Sequence, residues 1–283
     1  MKKKIKFAKK EFKNTDLPKN RYEVFIDILK VRFDIICKSG VILFLFLIPF
    51  IFSILAKNFS LFSLKEYFDS NTIDKTMYDQ SLFTIKLLFS LFEVVSLLFF
   101  SIGLSGIMNI FKRLTFYDSI QFKDDFLRGV KNNYKHNVLT FFLVGMIYVL
   151  SIIYTNIYTG SDFVSYVIFY FPVFLSCILV IPVLIFCLFQ IPIYNNTYKQ
   201  YLKNACFFYG KTIFKTIGII LVLSSFFAPL LIKNVYVMII SILVSSIFLL
   251  PISILVLNLY CNSIFDLYLN EKQYPEIYRK GMI

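Results

Sequence analysis

Tryptophan is absent from this chain, histidine occurs once, and Asp, Glu, Lys and Arg together make up only 17% of its 283 residues. A soluble domain of this size carries about a quarter charged residues. The shortfall excludes an ordinary soluble enzyme and a disordered chain alike. The lone histidine, His136, is the only residue on which a histidine-based triad could be built, and neither GxSxG nor HExxH surrounds it. It reads instead as a polar anchor at a membrane interface. No GxxxxGK[ST] occurs, so nucleotide hydrolysis through a P-loop is excluded. The five cysteines (Cys37, Cys177, Cys187, Cys206 and Cys261) include no CxxC pair and support neither a zinc site nor a disulfide framework. No catalytic, metal-binding or cofactor-binding residue emerges, and the expectation is a non-enzymatic protein. The first 40 residues contain no short apolar core with a small-residue cleavage site, so they do not read as a secretory signal.

What the chain does have is apolar length. Hydrophobic residues reach 58% and the mean hydropathy is +0.72. The 35 Phe and 19 Tyr are best read as the mark of AT-rich coding rather than an aromatic box. Six stretches are candidates to cross roughly 30 Å of hydrocarbon: Val41–Ala56, Leu87–Ile110, Val138–Tyr158, Phe163–Phe189, Thr216–Ile232, and one from Val235 to about Leu257. None alternates as a barrel strand does, so helices are the crossing elements. The expected fold is an all-α polytopic membrane bundle of about six transmembrane helices with amphipathic cytoplasmic helices.

Orientation follows from the basic residues. Segments 1–40, 111–137, 190–215 and 258–283 hold 25 of the 30 Lys and Arg. Both termini are therefore expected in the cytoplasm of a bacterial plasma membrane. This divides the chain into a basic N-terminal segment (1–40), a transmembrane domain (41–257) with an extracytoplasmic insertion at 57–86, and a cytoplasmic tail (258–283). The net charge of +13 then serves attraction to the anionic inner leaflet, chiefly through Lys2, Lys3, Lys4, Lys6, Lys9 and Lys10. Nucleic acid is not an expected partner, because no exposed basic reading face is present.

Three pieces precede the odd-numbered spans. In Tyr22–Lys38 the charges Glu23, Asp27, Lys30, Asp34 and Lys38 form one stripe, with apolar residues around it. In Asp118–Lys135, Phe122, Phe126, Val130 and Tyr134 recur every fourth position, with Asp118 and Gln121 as a candidate cap. The 197–215 piece is basic and aromatic. An offset of 80 superposes Lys131 on Lys211 and Lys135 on Lys215, and one of 97 matches Phe25 with Phe122 and Lys38 with Lys135, which raises a threefold repeat of helix plus hairpin as one reading. Each piece reads either as a docking surface or as a solvated face that anchors the bundle.

Glu93 is the one ionisable residue inside an apolar run, a functional candidate by default. Measured from Leu87 it lies about 9 Å below the outer end of its span, where it either faces a vestibule or pairs with Lys86. Gly103 and Gly106 read as close-packing positions. The prolines Pro49, Pro172, Pro182, Pro229 and Pro251 fit packing better than a broken-helix transport site.

The stretch from Gly103 to Gly145 contains a glycine-bearing span end, a basic connector and then a DF-x-x-G-x-K-x-N-x-K run: Asp125, Phe126, Gly129, Lys131, Asn133 and Lys135. This arrangement resembles the YesL-like family of bacterial membrane proteins, and Tyr201 to Thr216 is similar to the family's second cytoplasmic segment. The chain departs from the family by lacking a proline after the span-end glycine and by its long 57–86 segment. The resemblance implies a plasma-membrane protein accessory to carbohydrate uptake or envelope function, with transporter components as partners. It carries no catalytic residues. The alternative is the permease subunit of a six-span ABC-type transporter, with short cytoplasmic coupling helices.

Overall fold

The computed structural model describes residues 17–157, 163–231 and 235–282. The N-terminal lysines up to Lys10, the turn Thr159–Asp162 and Lys233 lie outside the described residues. Among those described there is no strand, and 86% of the structure is helical. The protein is an all-α polytopic bundle with six helices long and apolar enough to cross a membrane.

A short helix, α1 (Arg21–Val31), comes first. Asn20 caps it by accepting the Glu23 amide at 2.9 Å, while the Glu23 carboxylate returns to the Lys19 amide at 2.7 Å. Arg32 leaves helical geometry, and α2 (Phe33–Asp69) starts at once. A turn at Ser70–Asp74, with Asn71 at positive φ, leads into α3 (Lys75–Thr115), whose first turn is capped by Asp74. The 57–86 stretch is therefore not a separate insertion. It is the far end of one long α2–α3 hairpin, because its polar residues sit at helical spacing and nothing between Ala56 and Asp69 breaks the helix.

The next helices are α4 (Phe122–Ile157), α5 (Phe163–Gln190) and α6 (Tyr198–Ser225). The expected amphipathic pieces at 118–135 and 197–215 are their first turns, collinear with the spans, and only α1 stands as an independent short helix. Asp118 does not cap α4. Asp125 does, folding its carboxylate back onto the Gln121 amide at 2.8 Å. In α6 the backbone departs from helical angles at Thr212, whose hydroxyl bonds back to the Phe208 carbonyl at 2.8 Å.

The sixth crossing is composite. α7 (Val235–Val244) passes through a π-helical turn at Ser245–Leu249 into α8 (Leu250–Phe265). A second π turn, Asp266–Asn270, precedes the short α9 (Glu271–Gln273). The first π turn presses onto α2 at Gly40, where an added Cβ would lie 1.8 Å from the Ile247 carbonyl oxygen. Only glycine permits that approach.

The deepest packing lies at the end of the bundle where α1 and the 274–282 segment meet. Val24 and Ile28 of α1 join Ile107, Phe111, Phe186, Phe208 and Phe265 there. α3 and α4 are the most intimate pair. A Cβ on Gly106 would sit 2.3 Å from the Phe126 ring, and one on Gly129 would sit 2.5 Å from Asn109 Cβ. Asn137 donates to Ser105 across the same seam at 2.7 Å. Small residues let the backbones close, and the amides then find partners inside the seam.

Candidate functional site

Glu93 is buried on α3, between α2 and α4. Its two oxygens are both engaged: Lys57 Nζ of α2 lies 2.5 Å from Oε1, and the Tyr148 hydroxyl of α4 donates to Oε2 at 2.5 Å. Lys57 also reaches the Tyr148 oxygen at 3.4 Å. One carboxylate thus ties three helices together. Its side chain is 2% exposed, against 19% for that of Lys57.

The triad lies twelve residues, about 18 Å, along α4 from His136, and nineteen residues, about 28 Å, along α2 from Lys38. Its cation is Lys57, not Lys86, because α2 continues as a helix past Ala56 and carries Lys57 level with Glu93. Lys57 stands one residue beyond the apolar run that defined the first span, so hydropathy alone placed it outside.

A second polar assembly joins α1 to α8 and the segment after it. Asn258, Asn262, Asp266 and Asn270 are all buried at four-residue spacing along α8 and the turn after it. Asn262 donates to Asn258 at 3.0 Å and Asn270 to Asp266 at 2.8 Å. Arg21 of α1 meets Asp266 at 2.6 Å and also donates to the Lys280 carbonyl at 3.2 Å. Tyr194, after α5, donates to Asn270 at 2.5 Å. Around this core, Tyr117 donates to Asp27 at 2.8 Å and Lys280 pairs with Asp118 at 3.1 Å. Burial, reinforced by Asp27, holds the Tyr117 phenol above its ordinary range, and burial followed by the charge of Asp266 does the same for Tyr194. Both phenols stay neutral donors, and the stability they add is lost only as pH rises past the ordinary phenol range.

The residues of the DF-x-x-G-x-K-x-N-x-K run separate by face. Asp125, Gly129 and Asn133 are buried toward α3, whereas Lys131 and Lys135 are exposed. Asp125 accepts from Gln121 and from Arg113, the latter at 3.1 Å, and its own carbonyl takes Asn109 at 2.8 Å. Phe126 fills the notch at Gly106. The run thus builds a helix cap and a helix–helix seam. His136 stacks on Tyr198 with ring centroids 5.9 Å apart and meets Tyr201 edge-on at 5.7 Å. The five cysteines are free thiols, with Cys187 and Cys261 buried.

No protein-family model, no curated protein and no solved structure matches this chain. The fold and the two polar assemblies define a class, a multi-pass integral membrane protein with an internal ion pair.

Proposed function

We propose that this protein is a non-enzymatic accessory of solute uptake in a bacterial plasma membrane, as its resemblance to YesL-like proteins implies, with carbohydrate as the solute class. The observation that carries the reading is the use made of its polar groups. Asp125 with Arg113, Asn137 with Ser105, and Lys57 with Glu93 and Tyr148 hold helices in register, which suits a rigid membrane scaffold. The solvated face around α1, the start of α4 and the C-terminal tail is then the surface for transporter components and the anionic inner leaflet.

The permease alternative calls for short cytoplasmic coupling helices. The 118–135 and 197–215 pieces run collinear with α4 and α6, and Phe126 is engaged with Gly106 rather than free for a docked ATPase. Deleting the gene should lower uptake of at least one labelled sugar in a panel, with recovery when the wild-type chain is restored. Unchanged uptake across the panel would sink the accessory role. A nucleotide-binding subunit recovered in equal amount after mild detergent extraction would favour the permease.

Cytoplasmic placement of both termini is part of the same proposal. Support comes from the basic residues and from the contacts that bring α1 and the C-terminal tail to one face. With Cys37, Cys177 and Cys206 replaced by alanine, Thr76→Cys should react with an impermeant maleimide in intact cells. Asn132→Cys should react only after lysis. Thr76 suits the purpose better than Asn71, whose left-handed backbone resists a substituted side chain. Labelling at position 132 in intact cells would reverse the orientation.

A further inference from the structure

α6 carries the lysines Lys199, Lys203, Lys211 and Lys215 and no acid. The chain has neither Asp nor Glu between Asp162 and Asp266, so α5 and α8, which pack against α6, bring none to it. Asp266 itself is taken by Arg21. Among the described residues, no ion pair includes any of these lysines. Two of the ammonium groups are instead held by rings. Lys211 Nζ lies 6.0 Å from the centre of the Phe207 ring, and Lys215 Nζ lies 5.7 Å from that of Tyr260. Phe207 is fixed in turn by Tyr268, edge-on at 5.9 Å, and Tyr260 by its bond with the Thr216 hydroxyl at 2.7 Å. Between the two lysines the backbone leaves helical angles at Thr212, and a Cβ on Gly210 would meet nothing within 4 Å. Phe214, at helical spacing from Phe207 and Lys211, is 91% exposed. The uncharged run from Thr216 begins directly after Lys215. This turn therefore stands where hydrocarbon gives way to lipid headgroups.

We infer that the kinked turn of α6, with Lys211 and Lys215 as its cations and Phe207 and Phe214 beside them, binds the headgroup of an anionic phospholipid. Each ammonium has three donors, and contact with a ring face leaves some of them for phosphate oxygens. The open space at Gly210 gives the glycerol backbone room beside the helix. Phe214 packs against the first carbons of the acyl chains. A free phosphate would leave that ring in water, so the apolar half of the surface selects a lipid. Cations without an internal counterion select an anionic headgroup over a zwitterionic one, which brings a cation of its own. The site rests on the membrane fold and is independent of the accessory role.

The test uses the full-length chain, purified in a neutral detergent, stripped of lipid and titrated with phosphatidylglycerol or phosphatidylcholine. Native mass spectra should show phosphatidylglycerol retained in preference to phosphatidylcholine. Lys211→Gln combined with Lys215→Gln should weaken that retention about tenfold or more, in line with what lysines near an anionic surface contribute. Arginine at both positions should preserve it. Lys65→Gln combined with Lys75→Gln, an equal loss of charge at the α2–α3 turn, should leave it unchanged. Phe214→Ser keeps every charge and alters a ring that is almost wholly exposed, so the fold survives, yet retention of the lipid should still fall. Equal retention of the two lipids, or equal losses from the two lysine pairs, overturns the site and leaves only diffuse attraction. Displacement of the lipid by millimolar inorganic phosphate, with Phe214→Ser silent, assigns the lysines to a free phosphate and overturns the lipid.

Discussion

Lys57→Met should destabilise the protein by about 3–5 kcal/mol, the cost typical of breaking a buried ion pair from one side. The substitution keeps most of the length of the side chain and removes only the ammonium. Glu93 would retain the Tyr148 hydroxyl, but one hydrogen bond does not offset an uncompensated buried carboxylate. Adding Glu93→Gln removes that charge, so the double variant should recover much of the loss. Equilibrium unfolding in mild detergent, followed by helical circular dichroism, measures both. A loss below about 1 kcal/mol for Lys57→Met would place the pair with exposed surface pairs and remove its role as the tie between α2, α3 and α4.

Such a pair is only half legible in a sequence. Glu93 stands out because it interrupts a run of Leu, Phe and Val. Its partner does not, because Lys57 follows Ala56 where hydropathy falls and a lysine there reads as the ordinary end of a span. Only the helical continuation to Asp69, through a stretch without Gly or Pro, brings Lys57 level with Glu93. Span number and crossing type follow from periodicity and length, whereas the register between helices does not. The pairings of Asn109 with the Asp125 carbonyl and of Asn137 with Ser105 depend on where α3 and α4 slide against each other, and that is decided by the notches at Gly106, Gly129 and Gly145. The buried face of α4 left a trace, because Asp125, Gly129 and Asn133 recur every fourth residue. The same signal runs through Asn258, Asn262, Asp266 and Asn270. It begins at the end of the last apolar run, where polar residues are expected and spacing is easily overlooked.

Arg21→Met should release the assembly that this second stripe builds, at a cost again of about 3–5 kcal/mol. Arg21 and Asp266 have side chains only 9% and 10% exposed, and Arg21 meets Asp266 Oδ2 at 2.6 Å. Without it, Asp266 keeps Asn270 at 2.8 Å and the Arg279 amide at 3.3 Å, both on Oδ1. The consequence should be local before it is global. α1 meets the bundle through Val24 and Ile28, and the tail meets α1 through the Lys280 carbonyl, so losing the guanidinium frees both ends together. Limited proteolysis should then cut near residues 17–20 and 274–282 while the membrane helices stay intact. Arg21→Lys should recover only part of the protection, because a single ammonium cannot serve the Asp266 carboxylate and the Lys280 carbonyl with the fixed geometry of a guanidinium fork. Equal protection of Arg21→Met and wild type would show that apolar packing of α1 alone closes this end, with the polar stripe of α8 serving only to satisfy itself.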